Sequence, residues 1–160
     1  MPSQTHRASA AALFDLTNSL QPMRRVWVQA VNLALADFGL PTSLSSALIL
    51  ASRRGEEGIR QNLLGDEVGV NPGAMVRILD QAEAAGLLER RDAPGDRRVK
   101  TIHALPKGRE IARKMEKAVA RLRADLLGDV SEEEIETTTR TLRLFEERIG
   151  GYLQQERAGR

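Results

Sequence analysis

The chain has 160 residues and a formal net charge of +2 at pH 7, and its length fits one domain, alone or with an appended dimerisation element. Hydrophobic residues make up 41% and aromatic residues 3%, so a core must be built from Leu, Ala, Val and Ile, in a mainly helical protein. The sequence has no cysteine, which excludes disulfides, thiolate metal sites and cysteine redox sensing.

The N-terminal part of the chain predicts a flexible tail, residues 1–8, followed by a long helix. Apolar residues recur there at steps of three and four, which is typical of one stripe on a helix. They are Leu13, Leu16, Leu20, Met23, Trp27, Ala30, Ala34 and Phe38. Pro22 lacks a backbone donor, so we expect a kink or break there, and we expect Gly39 to end the helix. A second helix follows, capped by Thr42 or Ser43.

The middle of the chain predicts a helix-turn-helix. A short helix over about 60–68 is ended by Gly69, which supplies the backbone conformation that a sharp turn needs. Asn71 then caps a second helix that has Pro72 at its first position. The inner stripe of that helix consists of Met75, Leu79 and Ala82. The second helix of such a pair enters the major groove of DNA with its first residues near the base edges.

A basic hairpin follows the helix pair. Residues 87–91 and 99–105 predict two short strands, joined by the turn-rich tip Asp92-Ala93-Pro94-Gly95-Asp96. Six bases and two acids lie between Arg90 and Lys107, a net charge of +4. A protruding arginine is favoured in a narrow minor groove because negative potential is concentrated there, so the hairpin is expected to reach DNA beside the second helix.

The last third of the chain predicts two more helices. Pro106 opens the first and Gly128 ends it. Its apolar face consists of Ile111, Met115, Ala118, Leu122 and Leu126. Ser131 caps the second helix, with Glu134 three residues on, which is the pattern of a capping box. A seven-residue repeat with interleaved aromatic residues follows, typical of a coiled-coil seam. The repeat and its aromatic residues are Ile135, Leu142, Phe145, Ile149 and Tyr152.

Four segments of the chain resemble the MarR family of bacterial regulators. They read LLGDEVGV at 63–70, DQAEAAGLLERR at 80–91, DRR at 96–98 and KGR at 107–109. The order of the flanking helices also fits that family. The resemblance implies a homodimeric, ligand-responsive transcription regulator, a repressor that binds double-stranded DNA at a pseudo-palindromic operator. A small molecule, often an aromatic acid, would release it.

The resemblance also divides the chain. A winged helix-turn-helix lobe would span 42–106, with a recognition helix at 71–85 in the major groove and a wing at 92–98 in the minor groove. A helical dimerisation region would span 9–38 and 107–156. The residues expected at the dimer interface are Leu13, Leu16, Leu20, Ile135, Leu142, Phe145, Ile149 and Tyr152. The residues expected at DNA are Asn71, Gly73, Ala74, Val76, Arg77, Asp96, Arg97, Arg98 and Lys100.

The roles of the wing residues follow from the same resemblance. Arg98 matches the arginine that enters the minor groove, and Asp96 matches the carboxylate that braces it. Arg97 and Lys100 would lie near phosphates. The alternative is that Arg97 and Arg98 form only a solvated turn.

On the recognition helix, Arg77 is the one long polar donor among the outward-facing residues. It can contact DNA, or it can pair with Asp80 or Asp66 instead. Asn71 and the free backbone donors at the start of the helix can bind a phosphate.

An effector site is a further hypothesis. Trp27, the only tryptophan, belongs either to the core or dimer interface or to the wall of an effector pocket. Arg24 and Arg25 either face solvent or bind the carboxylate of a ligand in a fork.

Two other classes of protein compete with a DNA-binding regulator. The first is a winged-helix module that binds another protein and no DNA. The second is an enzyme, but the sequence shows no nucleophile–base pair, no phosphate loop and no metal cluster, and His6 and His103 lack matching ligands. We therefore expect no cofactor and no metal. No apolar run approaches the roughly 20 residues of a membrane span, and no signal-peptide pattern is present, so we expect a cytoplasmic, nucleoid-associated protein.

Overall fold

The computed structural model describes residues 8–159, and residues 1–7 of the predicted tail lie outside that range. Within the described residues the helices are α1 Ala10–Ala34, α2 Thr42–Arg53, α3 Gln61–Val68, α4 Pro72–Ala84, α5 Pro106–Leu127 and α6 Glu132–Ala158, with a short 3-10 helix at Ala36–Phe38. The strands are β1 Ile59–Arg60, β2 Leu88–Ala93 and β3 Asp96–Ala104. The predicted fold class, mainly α with a small β wing, is confirmed. None of the described helices is long and apolar enough to cross a membrane.

Two compact units make up the chain, Met1–Leu122 and Arg123–Arg160, and their boundary falls inside α5. The first unit contains the sheet and the hydrophobic core, to which α2, α3, α4, β3 and α5 all contribute. Its largest fully buried side chains include Leu48, Leu64, Leu79, Ile102 and Met115. The second unit consists of the end of α5 and the whole of α6, and no residue of α6 is buried.

The first helix runs without interruption through Pro22, so the predicted break is wrong. Pro22 removes one backbone donor, and the residues around it are exposed, so water can bond to the carbonyl left without a partner. Ser9 caps the start of α1, where its hydroxyl accepts a hydrogen bond from the backbone N–H of Ala12 at 3.2 Å. Gly39, at φ +64°, ends the short 3-10 helix that follows α1.

The predicted cap of α2 is also wrong, although the helix itself is present. Pro41 occupies the N-cap position, and no side chain caps the helix. Thr42 is already inside the helix, and its hydroxyl donates instead to the side-chain carbonyl of Asn32 on α1, at 2.7 Å. The hydroxyl therefore links α1 to the lobe.

The sheet has three antiparallel strands in the order β1-β3-β2, and the sequence predicted only two of them. Strand β1 is two residues long, which is too short to show an alternating pattern. It pairs Ile59 with Ile102 and Arg60 with Thr101. Because β1 leads directly into α3, this pairing fixes the start of the helix-turn-helix against the wing.

Helix α5 starts at Pro106 as predicted, but its buried face is rotated from the predicted one. The buried residues are Gly108, Ala112, Met115 and Val119. Ile111, Ala118 and Leu122 are half-buried, and Leu126 is exposed. The two small residues let the start of α5 approach the backbone that follows α4, so contact falls on their face and not on the more apolar one.

Candidate nucleic-acid interface

Helix α4 is the second helix of the predicted pair, and its N-terminus is built as the sequence predicted. Gly69 adopts φ +78° at the end of α3 and makes the sharp turn. The side chain of Asn71 caps α4 and accepts a hydrogen bond from the backbone N–H of Ala74 at 2.8 Å. The oxygen of the Asn71 side chain is thus occupied by the cap, and its amide nitrogen is the part left to donate to a phosphate.

One face of α4 packs on the core and the other is open. The buried face consists of Met75, Ile78, Leu79 and Ala82, which includes the whole predicted inner stripe. Gly73, Val76 and Arg77 are exposed, and Ala74 is half-buried. Apart from Arg77, the open face therefore offers few polar groups, because the neighbours of Arg77 on it are a glycine and an aliphatic side chain.

Arg77 does not pair with either of the carboxylates that the sequence offered. Asp80 contacts Arg90 of β2 instead. Within residues 8–159, no carboxylate lies within ion-pair distance of Arg77. Its guanidinium is therefore unengaged at the centre of the exposed face.

The wing is longer and tighter than predicted. Strand β2 continues to Ala93 and β3 begins at Asp96, so only Pro94 and Gly95 form the tip, with Gly95 at φ +84°. The predicted five-residue tip is therefore wrong, because Asp92 and Asp96 belong to paired strands. A cross-strand ion pair between Lys100 and Asp92 helps to hold the strands together this far from the core.

Arg98 projects from the wing with 92% of its side chain exposed, and Asp96 holds it. One carboxylate oxygen of Asp96 accepts from the backbone N–H of Arg98 at 3.0 Å and from its Nε at 3.2 Å, and the other accepts from Nη2 at 3.4 Å. These hydrogen bonds, chiefly those from the side chain of Arg98, hold the pKa of the Asp96 carboxyl below its ordinary value. The carboxylate therefore stays charged and orients the arginine.

The other bases of the wing are mostly engaged by acids of the same unit. Besides the Lys100–Asp92 pair, Arg91 contacts Glu89 on its own strand and Arg90 contacts Asp80 on α4. Arg97 is exposed and makes no ion pair within the described residues. The net positive charge that the sequence assigned to the whole hairpin is thus concentrated near its tip.

A cleft of about 400 Å³ lies between the start of α3, the start of α4 and the wing. Its polar walls are Arg60, Asn62, Asp66, Arg98 and Lys100, and its floor includes Met75. Three cations and one acid therefore line the cleft beside the open face of α4, and two of the cations, Arg98 and Lys100, are paired with carboxylates of the wing.

The residues of the effector hypothesis lie within about one turn of α1. Trp27 is half-buried and packs against the lobe core, while Arg24 and Arg25 are exposed. The guanidinium of Arg24 lies over the helix-turn-helix joint, where its Nη2 is 2.8 Å from the position a Cβ would take at Gly69. Within the described residues, no group of three or more His, Asp or Glu side chains is placed to hold a metal ion, and His6 lies outside them.

The residues predicted at the dimer interface are largely uncovered. Leu16 and Phe145 are half-buried and the others are exposed. The exposed ones are Leu13, Leu20, Ile135, Leu142, Ile149 and Tyr152. They belong to α1 and α6, which lie in different units of the chain.

Sequence reasoning missed Arg90, which it counted only as part of the basic hairpin. The structure places its side chain against α4, where it contacts Asp80 and Glu83. The signal that could have found it is the spacing of these two acids, three residues apart on one helix and close before the strand that carries the base.

Comparison with known proteins gives the same architecture. The MarR family pattern matches residues 38–99. The solved structure of the transcriptional regulator PA3341 is 26% identical with a TM-score of 0.77, covering 85% of this chain and 98% of that one. A MarR-family regulator from Rhodococcus sp. RHA1 is 25% identical with a TM-score of 0.70, covering 84% and 94%. CouR from Rhodococcus jostii RHA1, solved bound to p-coumaroyl-CoA, is 25% identical with a TM-score of 0.69, covering 80% and 88%.

A helix pair joined at Gly69, followed by a β wing, defines a winged helix-turn-helix protein. The resemblance drawn from the sequence is confirmed: the MarR family pattern matches the winged helix-turn-helix lobe, and the chain is similar to solved MarR-family transcriptional regulators.

Proposed function

We propose that this protein is a homodimeric repressor that binds a specific double-stranded DNA operator, with α4 in the major groove and the wing in the adjacent minor groove. The observation that carries the proposal is the pair at the wing tip. Arg98 is 92% exposed and is oriented by Asp96, both of whose carboxylate oxygens accept hydrogen bonds from it. An arginine held in advance loses less side-chain entropy when it enters a narrow, electronegative groove.

The binding energy comes mainly from phosphates. Arg97, Arg98 and the cations of the cleft supply positive charge beside α4, and each phosphate that they neutralise releases counterions. At the start of α4, where Pro72 has no N–H and the N–H groups of Ala74 and Met75 are bonded to Asn71, the backbone N–H of Gly73 adds one uncharged donor for a phosphate. Affinity therefore falls steeply as salt is raised.

Base reading in the major groove is sparse, because Arg77 is the one long donor on the open face of α4. A bidentate contact from such an arginine favours guanine. Gly73 and Val76 add close approach and an apolar contact. We infer that sequence selection depends on few base contacts and on the shape of the minor groove at the wing.

The effector is a small aromatic acid or its thioester. CouR, whose fold this chain shares, was solved with p-coumaroyl-CoA. We expect Arg24 to respond to an anionic ligand, since its guanidinium reaches the joint between α3 and α4. A ligand that binds Arg24 and moves it away from Gly69 removes a contact at the joint that precedes the recognition helix.

The test is a gel-shift titration with DNA selected by the protein from a random pool. We expect Arg98→Ala to weaken binding by about 1–3 kcal/mol. Arg53→Ala is the matched control, because Arg53 is an exposed arginine of α2 that pairs with Glu116 of α5 at 2.5 Å, away from the wing. Equal affinities of Arg98→Ala and wild type would contradict the wing assignment.

The same titration tests the effector. Aromatic acids and their thioesters are expected to release the wild-type protein from DNA, and to do so less well with Arg24→Ala or Arg25→Ala. If no compound of this class releases the protein, the effector assignment is wrong. If the protein instead binds an acidic protein partner and no DNA, it is the winged-helix protein–protein module that the sequence analysis gave as the alternative.

A further inference from the structure

Arg90 makes an unusual set of contacts for a residue of a basic wing. It lies on β2 opposite Ile102 of β3, and only 25% of its side chain is exposed. Its Nη2 donates to Oδ1 of Asp80, lies 3.4 Å from Oε2 of Glu83 and lies 3.5 Å from the backbone carbonyl oxygen of Val76. Its backbone N–H donates to the other carboxylate oxygen of Glu83 at 2.8 Å.

The three partners of Arg90 are regularly spaced on α4. Val76, Asp80 and Glu83 follow one another at steps of four and three, so they form one stripe along two turns of the helix. The stripe lies between the buried face and the open face that carries Arg77. A single side chain of the hairpin therefore holds the recognition helix along its flank.

We propose that Arg90 is a positioning residue that fixes the rotation of α4 about its own axis relative to the wing. The inference rests on the proposed function. Two carboxylates neutralise the charge of Arg90, so it differs from Arg97 and Arg98, whose charge is available to DNA. Arg90 sets the angle at which Arg77 meets a base edge while Arg98 occupies the minor groove.

This role separates specific from non-specific binding. A helix that is free to rotate still presents the same cations to phosphates, so non-specific affinity is kept. A bidentate contact to a base edge depends on the angle of the donor, so specific affinity is lost. Loss of Arg90 should therefore lower the ratio of specific to non-specific affinity.

The neighbouring residue provides a matched control. Arg91 lies on the same strand, and its guanidinium pairs with Glu89 of that strand instead of with α4, with 2.7 Å between its Nε and Oε1 of Glu89. Arg90→Met and Arg91→Met remove the same charge at adjacent positions. We expect Arg90→Met to lower the ratio of specific to non-specific affinity about tenfold, and Arg91→Met to lower both affinities together, leaving the ratio within about twofold.

A second measurement needs no DNA. Backbone amides of Pro72–Ala84 are expected to exchange hydrogen faster in Arg90→Met than in wild type or Arg91→Met, at a temperature where all three are folded.

Equal ratios for Arg90→Met and Arg91→Met, or unchanged exchange of α4, would overturn the assignment of Arg90. A wild-type protein that prefers no DNA sequence would instead overturn the proposed function. In that case the exchange measurement still decides whether Arg90 holds α4.

Discussion

At the scale of the residue, the role of each arginine on the hairpin depends on which carboxylate lies beside it. Asp96 follows a turn and holds Arg98 outward, while Asp80 and Glu83 lie on a helix and hold Arg90 inward. In the sequence, Arg90 and Arg98 look alike, because each is a basic residue with acidic residues close by. The direction of the side chain differs because Arg90 lies on β2 beside α4, whereas Arg98 lies on β3 close to the tip of the wing.

His103 provides a test of burial at the same scale. It is buried on β3, its Nε2 lies 2.9 Å from the hydroxyl of Thr101, and its ring leaves no room for a side chain at Gly58. The pKa of His103 lies below the ordinary imidazole value, mainly because the ring is buried and secondly because of the charge of Arg91. The folded protein therefore resists protonation more than the unfolded chain does.

The sign of the pH effect follows from that difference. Below the ordinary imidazole pKa of about 6.5, the unfolded chain binds a proton that the folded one resists, so the free energy of unfolding falls as the pH is lowered. The contribution of one histidine is at most about 1.4 kcal/mol per pH unit. Urea unfolding at pH 7.5 and at pH 5.5 should show a smaller loss of stability in His103→Asn than in wild type. Identical losses would contradict the assignment.

At the scale of the element, local signals predicted the joint of the helix-turn-helix and two of the helix caps. Asn71 and Pro72 marked the start of α4, Gly69 marked the turn, and Ser131 with Glu134 formed the capping box, because each acts within one turn of the chain. The elements that depend on distant partners were not predicted. Strand β1 exists because β3 lies beside it.

The buried face of α5 also depends on a distant partner, and it was not predicted correctly. The apolar stripe at Ile111, Ala118 and Leu122 suggested one face, but packing selected the face with Gly108 and Ala112. Apolar periodicity reports which residues avoid water, whereas close approach of two backbones depends on small residues. In the candidate site, Arg98 and the carboxylate of Asp96 beside it were predicted from a motif. The contacts of Arg90 with α4 were not predicted, because they join two elements.

Gly108 gives the element-scale prediction. A Cβ there would clash with the backbone carbonyl of Leu87, which already accepts a hydrogen bond from Leu105, and would touch Leu48 at 3.0 Å. We expect Gly108→Ala to destabilise the protein by about 1–3 kcal/mol in spite of the higher helix propensity of alanine. Thermal or urea unfolding measures this.

The control is the same substitution in another helix. Gly150 of α6 has open space where an alanine Cβ would lie, since among the described residues only its chain neighbours and the nearby backbone of its own helix can come within 4 Å of that position. Gly150→Ala is expected to leave stability unchanged or raise it by about 0.5–1 kcal/mol, because alanine favours the helix. If both substitutions act in the same direction, close packing at Gly108 is not the reason for its glycine.

At the scale of the whole molecule, the chain carries more apolar surface than one copy covers. Helix α6 has no buried residue, yet it carries the seven-residue repeat of the seam. An amphipathic helix of this kind needs a partner surface, which the second copy of the proposed dimer would supply. The proposed dimer would also make a lobe with few base-reading side chains specific, because two half-sites about 34–36 Å apart would both have to fit.

The last prediction tests this with two charges placed on the seam. Leu142 and Ile149 are 38% and 42% exposed, so Leu142→Glu with Ile149→Glu should leave the lobe folded and separate the copies. The operator affinity should then fall by about 100-fold or more, because the second lobe no longer binds as part of the same molecule. Sedimentation measures the separation of the copies, and gel shift measures the operator affinity.

Thr137→Glu with Gln154→Glu adds the same charge to other exposed positions of α6 and should remain dimeric. A seam variant that stays dimeric, or that binds the operator as a monomer with undiminished affinity, would show that pairing through α6 is not what aligns the two wings.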